Sequence, residues 1–142
     1  MFLQKLEEML KYSMNIFFLH LRQRTCARYH ADKHVIKMIL ETCQLLCSAH
    51  HTSNTSNTSN MPSLYEPPYK LTHKNHPCAI WTRQSVGNYE WLAKLGLELC
   101  YEYTYRYGKI HKSQAYIEDL SKNIPNIPDL GFTEPYRVGN LN

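Results

Sequence analysis

Residues 27–50 read ARYHADKHVIKMILETCQLLCSAH, and this stretch decides the fold that the sequence predicts. Apolar side chains cover almost the whole circumference of a helix drawn through it. At about 100° per residue, the remaining polar side chains fall within a stripe roughly 80° wide. We call these five residues the polar stripe: His30, His34, Lys37, Glu41 and Gln44. The pattern predicts a helix buried on most sides. The polar stripe is either its solvent-exposed face or the lining of a cleft that holds a base, a cation and a carboxylate.

The helical pattern around this stretch extends over residues 22–50. It is broken near Ala31 and Asp32, where Asp32 can serve as an N-cap because its side chain can accept a backbone N–H of the first turn.

A second helical region runs from Pro77, a favourable first helical position, to Tyr107. Gly87 is expected to bend it, and Gly108 is expected to end it as a left-handed terminator. A short helix follows at 113–120. Because no segment shows the regular alternation of a sheet strand, the sequence predicts an all-α fold, a single compact helical domain.

Four segments fall outside the helical domain core. Residues 1–13 form an amphipathic N-terminal extension ahead of a second methionine, Met14, so the domain is expected to span 14–142. The apolar run at 16–19 is interpreted as a buried strand or turn. Residues 52–60 repeat Thr-Ser-Asn three times, which predicts a flexible surface loop, and prolines predict an extended C-terminal tail from Ile124 onward.

Composition limits the class of protein. The chain has 142 residues, 43% of them hydrophobic and 20% charged, which excludes a wholly disordered or fibrous protein. No apolar run reaches the roughly 18 residues that a membrane-spanning helix needs. The five cysteines do not follow the spacing of a secreted disulfide framework. We expect an intracellular monomer with reduced thiols and no membrane association.

Basic residues gather in two regions that are poor in carboxylates. The net charge of +4 permits a polyanionic partner, and Trp81 and the eleven tyrosines offer surfaces on which bases can stack. The candidates for contact with DNA are Arg22, Arg24, Arg28, Lys33, Lys74, His76, Arg83 and Arg106. The alternative is a solvated basic surface above an aromatic core.

Two histidines suggest a different chemistry. His30 and His34 are four residues apart, a spacing at which two imidazoles on one helix can share a metal ion. No HExxH motif completes such a site, and the HxxHxC pattern at 73–78 matches no common zinc spacing. No metal site is therefore assigned, and a metal-dependent enzyme using these two histidines remains an alternative.

Several blocks of the sequence resemble a known family. These are MNIFFL (14–19), DKHVIKMILE (32–41), NHPCAIW (75–81) and YRYGK (105–109). Together they resemble small proteins of bacteriophages and large DNA viruses that are grouped with the pyrimidine-dimer DNA glycosylases of the endonuclease V type. The resemblance extends over about 14–131.

The resemblance implies a helical domain that binds damaged duplex DNA, flips a base and cleaves the glycosidic bond without a cofactor. In that family an N-terminal α-amine forms a Schiff base with the sugar, a carboxylate on the first long helix assists, and an AP-lyase step nicks the strand. An α-amine at Asn15 would require translation to begin at Met14 and that methionine to be removed.

The interpretation that follows is a DNA-repair glycosylase and AP lyase. Its candidate catalytic residues are the acid–base carboxylate Glu41 or Asp32, with His34 and Lys37 as neighbours and Lys37 as an alternative amine nucleophile. The competing interpretations are a nucleic-acid-binding module without catalysis and the metal-dependent enzyme described above.

Overall fold

The computed structural model describes residues 16–54 and 65–135. These residues form five α-helices: α1 (Gln23–Arg28), α2 (Asp32–Asn54), α3 (Pro77–Gln84), α4 (Val86–Tyr107) and α5 (Gln114–Lys122). No strand occurs within the two described ranges, so the prediction of an all-α fold is confirmed. The predicted helix in 1–13, most of the repeat loop and the end of the tail lie outside these ranges.

The two long helices α2 and α4 pack against each other and carry the core. Ile39, Leu46, Leu92 and Leu99 are all fully buried between them and their neighbours. Helix α4 also contacts α1, α3 and α5, so it is the central element of the molecule. A Cβ atom on Gly96 would lie 3.0 Å from the Thr42 side chain and 3.2 Å from that of Ile117, which shows how closely α4 approaches α2 and α5.

The break between α1 and α2 is confirmed, but two details of α2 differ from the prediction. Asp32 is the first residue of the helix and not its N-cap, because the carbonyl of Ala31 already accepts the first backbone bonds. The helix also continues to Asn54, so the first three residues of the loop predicted at 52–60 are helical. The Thr52 hydroxyl donates to the carbonyl of Ser48 one turn earlier at 2.9 Å, which satisfies this polar side chain inside the helix.

The second helical region is divided into α3 and α4 at Ser85. Pro77 is the first residue of α3 as predicted, and the Nδ1 atom of His76 accepts the backbone N–H of Cys78 as an N-cap. Ser85 has an extended backbone and caps α4 through its hydroxyl, so the interruption occurs at the serine and not as a bend at Gly87. Gly108 ends α4 with a positive φ of 69°, as predicted.

The tail after α5 is extended and packs on the start of α4. The carbonyls of Pro128 and Leu130 accept the N–H groups of Val86 and Gly87 at 2.9 and 3.0 Å, which satisfies donors that the first turn of a helix leaves open. A Cβ atom on Gly87 would lie 2.4 Å from the backbone nitrogen of Phe132, so only glycine permits this approach.

The segment at 16–19 is a turn and not a strand, with the amide of Leu19 donating to the carbonyl of Phe17 at 3.0 Å. All five cysteines are buried free thiols. None of the described helices is long and apolar enough to cross a bilayer.

Candidate active site

The polar stripe does not form the outer face of α2. His34 and Glu41 are 8% and 5% exposed, whereas Ile36 and Leu40, predicted to be buried, are 42% and 37% exposed. The sequence pattern identified the stripe but not whether it faces solvent or the protein interior. The reason is that α3 and the N-terminal segment cover a face that would be exposed on the isolated helix. The solvent-face interpretation is therefore wrong for His34 and Glu41.

Glu41 and Lys37 form an ion pair at the edge of this buried face. The Nζ atom of Lys37 lies 3.6 Å from Oε1 of Glu41, and the two side chains are 40% and 7% exposed. The carboxylate is thus held inside the protein while the ammonium group remains open to solvent. A buried carboxylate with a cation at its entrance is a suitable group for proton transfer to a ligand on the surface.

Two further segments converge on this carboxylate. Burial raises the pKa of the Cys78 thiol on α3 to about 11, a hydrogen bond with the backbone of Ile16 opposes the rise, and the negative charge of Glu41 adds to it. Ile16, the residue directly after Asn15, therefore contacts the same thiol whose pKa is raised by the charge of Glu41. Neither neighbour could be predicted from the sequence, since both contacts join residues far apart in the chain.

His30 and His34 do not lie on the same helix, but both contact the same residue, Phe17. His30 precedes α2, and both imidazoles pack on the ring of Phe17, with ring centroids 5.7 and 5.1 Å from it. Burial lowers the pKa of His30 to about 4, and burial with Lys33 and Lys37 lowers that of His34. Both are therefore neutral at pH 7. Within the described residues, no group of three or more His, Cys, Asp or Glu side chains is arranged to hold a metal ion.

Asp32, the other candidate carboxylate, belongs to a different contact. Its side chain is 75% exposed and lies 3.0 Å from Nη1 of Arg106. It is nine residues from Glu41, which corresponds to about 13 Å along the helix. The two carboxylates therefore do not share one site, and Glu41 is the one that is paired with Lys37.

The family model for pyrimidine dimer DNA glycosylase matches residues 14–115, well over half of the chain. This chain belongs to the pyrimidine dimer DNA glycosylase family. The match begins at Met14, where the resemblance was predicted to begin, and ends before the predicted limit at Gly131. No curated protein and no solved structure matches the chain.

The cations that the sequence predicts to contact DNA differ in their exposure and in their contacts. Arg22, Arg24, Arg28, Lys33 and Lys74 are exposed. Arg83 is half-buried and donates to the carbonyl of Lys74 at 2.6 Å, which fixes the loop before α3. His76 is the N-cap of α3, and burial together with His73 lowers its pKa.

Arg106 has a contact that the sequence did not suggest. Its guanidinium bonds to Glu102 at 2.9 Å, to the carbonyls of His30 and Arg28 at 2.7 and 3.1 Å, and to Asp32. All three of its nitrogen atoms are used within the protein, so Arg106 ties the end of α4 to the connection between α1 and α2.

Two other expectations change when the helices pack. Arg24 and Arg28, expected to lie in a region poor in carboxylates, share a groove with Glu98 and Glu102 of α4. Trp81, expected as a stacking surface, is 6% exposed and packs edge-on against Trp91 at 6.3 Å. Among the Phe, Tyr and Trp side chains of residues 16–54 and 65–135, the exposed rings are tyrosines, with Tyr105 at 86%.

Proposed function

We propose that this protein is a DNA glycosylase with AP-lyase activity that acts on pyrimidine dimers in duplex DNA. Membership of the pyrimidine dimer DNA glycosylase family supports the substrate class. The observation that carries the chemistry is the carboxylate of Glu41, which is 5% exposed and 3.6 Å from Lys37. We propose that the protein acts as a monomer.

The proposed reaction needs an amine nucleophile. The amine attacks C1′ of the damaged nucleotide while the glycosidic bond breaks and the bonding electrons leave with the base. Loss of a proton from the nitrogen and opening of the sugar then give a Schiff base. Removal of a proton from C2′ expels the 3′ phosphate and nicks the strand. Glu41 serves these steps as the acid–base group.

Two amines are candidates, an α-amine at Asn15 and the side chain of Lys37. An α-amine has an ordinary pKa of about 7.7–8.0 and a lysine one of about 10.4, so far more of the α-amine is unprotonated at neutral pH. The backbone of Ile16, next in sequence to Asn15, contacts Cys78 close to Glu41. These facts favour Asn15 as the nucleophile, with Lys37 as the ion-pair partner of the Glu41 carboxylate.

Duplex binding is assigned to the exposed cations near this face. Lys33 is exposed on the first turn of α2, and Lys74 is exposed just before α3. Each can neutralise a backbone phosphate and release a counterion.

Borohydride trapping on a duplex that contains a pyrimidine dimer or an abasic site tests the proposal. A chain that begins at Asn15 is expected to form a trapped covalent complex that the 142-residue chain does not form. Equal trapping by both chains would identify Lys37 as the nucleophile, and Lys37→Arg would then abolish it. Duplex binding without trapping by either chain would contradict the glycosylase assignment and support a non-catalytic binding module.

A further inference from the structure

A groove of about 400 Å³ runs between α1 and the second half of α4. We call it the Arg–Tyr groove, and its lining residues are Arg24, Arg28, Glu98, Tyr101, Glu102 and Tyr105. The two arginines are one turn apart on α1, and the four residues of α4 follow the i, i+3, i+4, i+7 spacing of a single helix face. No residue of α2 lines it, so it is separate from the Glu41 site.

The charges in the Arg–Tyr groove do not neutralise one another. Glu102 is bonded to Arg106 outside the groove. Across the described ranges 16–54 and 65–135, no hydrogen bond or ion pair uses the guanidinium of Arg24 or Arg28, or the carboxylate of Glu98. The groove thus presents two cations and a half-buried anion that remain available to a ligand carrying both an anionic group and N–H donors.

Aromatic rings stand beside these charges. Tyr105 is 86% exposed and Tyr101 is 51% exposed. By contrast, Tyr103 and Tyr107 on the adjoining face pack on each other with ring centroids 5.1 Å apart. The two tyrosines of the groove are therefore more exposed than these neighbours, and an open ring face in a cationic groove is the usual platform for an unpaired base.

We propose that the Arg–Tyr groove binds an unpaired nucleotide of a single strand. Arg24 and Arg28 hold the phosphate, Tyr105 stacks on the base, and Glu98 accepts an N–H of the base edge. A carboxylate in that position favours cytosine, whose exocyclic amino group donates to it, over thymine, whose single N3–H donor is flanked by two carbonyl oxygens that repel the carboxylate. The inference does not depend on glycosylase chemistry, because it uses none of the residues around Glu41.

Fluorescence anisotropy of the full chain with labelled tetranucleotides of deoxycytidine and of thymidine tests this inference, since the two probes carry equal charge. Deoxycytidine is expected to bind more tightly. Tyr105→Ala is expected to weaken both probes by about 5- to 100-fold through loss of stacking, and Tyr105→Phe to retain the wild-type affinity. Glu98→Gln is expected to remove the preference for cytosine without weakening the thymidine probe.

Tyr116→Ala is the matched control, because Tyr116 is 41% exposed on α5 outside the groove. Equal affinity of the wild type for both probes, or the same affinity for Tyr105→Ala and Tyr116→Ala, would overturn the inference. Failure of either oligonucleotide to bind would also overturn it. Nicking of dimer-containing duplex, measured on the same samples, reports separately on the proposed glycosylase: a protein that does not nick but prefers cytosine leaves this inference standing.

Discussion

At the scale of single residues, the direction of a side chain decides its chemistry. Glu41 and Asp32 are both carboxylates on α2, but Glu41 points into the protein beside Lys37 and Asp32 points outward to Arg106. A carboxylate that is buried and accompanied by a cation can remain charged while excluded from water. That combination distinguishes Glu41 as the candidate acid–base group.

Glu41→Gln keeps the shape of the side chain and removes its charge. We expect the nicking rate to fall by about 10²–10⁴-fold, since the amide cannot transfer the proton. The free energy of unfolding should change by about 1 kcal/mol or less, because the partner lysine is 40% exposed. Nicking rate and thermal melting are measured on the same sample.

Asp32→Asn is the comparison for this prediction. If this variant loses nicking while Glu41→Gln retains it, Asp32 is the catalytic carboxylate and the assignment of Glu41 is wrong. Loss of folding by Glu41→Gln, without a specific loss of activity, would instead identify the ion pair as structural.

At the scale of the secondary-structure elements, the tail and α4 depend on each other. The tail supplies carbonyl acceptors to the first turn of α4, and the Oδ1 atom of Asn88 accepts the N–H of Thr133 at 2.8 Å. The ring of Phe132 stacks on Trp91 with centroids 5.4 Å apart. An extended segment with no helix or strand of its own is therefore fixed by the helix that it caps.

Gly87→Ala should detach this tail. Because the added Cβ would meet the backbone of Phe132 at 2.4 Å, we expect a loss of about 1–3 kcal/mol in the free energy of unfolding. Tryptophan fluorescence should shift to longer wavelength as Trp81 and Trp91 lose the cover of Phe132. Urea unfolding followed by fluorescence measures both effects.

Gly108→Ala provides the control, since a Cβ atom added there would meet nothing within 4 Å, although the residue has a φ of +69°. It should lower stability through backbone strain and leave the tryptophan spectrum of the folded protein unchanged. Identical spectra for wild type and Gly87→Ala would show that the tail is not held as described.

At the scale of the whole molecule, basic side chains fall into two groups: those bonded inside the protein and those free to contact a ligand at the surface. Arg106 forms the contacts that join α4 to the start of α2, and Lys74 extends from the surface. A count of basic residues treats the two alike, although only the second can be offered to a phosphate without breaking bonds inside the protein.

The salt dependence of duplex binding separates these two roles. Lys74→Ala should reduce the slope of log affinity against log salt by about 0.9 for one lost phosphate contact. Arg106→Gln should leave this slope unchanged and lower the free energy of unfolding by about 1–3 kcal/mol, because several charge-assisted hydrogen bonds are lost. A reduced slope for Arg106→Gln at unchanged stability would show that Arg106 contacts DNA and would contradict this prediction.

Buried histidines make the stability of the whole molecule depend on pH. The pKa values of His30 and His50 are lowered to about 4, mainly by burial, whereas in the unfolded chain both return to the ordinary value near 6.5. Between these values the unfolded chain binds more protons than the folded protein, so stability falls as the pH falls through this range. The free energy of unfolding from urea titration should be lower at pH 5 than at pH 7 by about 2 kcal/mol per histidine, and the urea midpoint should fall accordingly.

His30→Asn serves as the control, since its amide can still donate to the carbonyl of Cys26 that His30 contacts at 2.8 Å. Its urea midpoint should fall less between pH 7 and pH 5 than that of the wild type. Equal midpoints at the two pH values in the wild type would contradict the buried, neutral state of both histidines.

The sequence by itself determined the helices and where several of them begin and end. Apolar spacing, Pro77 at the start of α3 and Gly108 at the end of α4 act through local backbone geometry, and that geometry can be predicted from neighbouring residues. The blocks that predicted the family are likewise short continuous segments. Glu41, Lys37 and His34 were selected by the same local periodicity.

Only the tertiary structure decided which of these residues face one another. The carbonyl of His30 and the guanidinium of Arg106 form a hydrogen bond although they are 76 residues apart in the chain. Glu98 of α4 and Arg24 of α1 line the same groove only because the two helices pack together. Helical periodicity predicts that a face is polar, but the segment that covers this face comes from elsewhere in the chain. The burial of Glu41, the internal contacts of Arg106 and the Arg–Tyr groove are all consequences of such long-range packing.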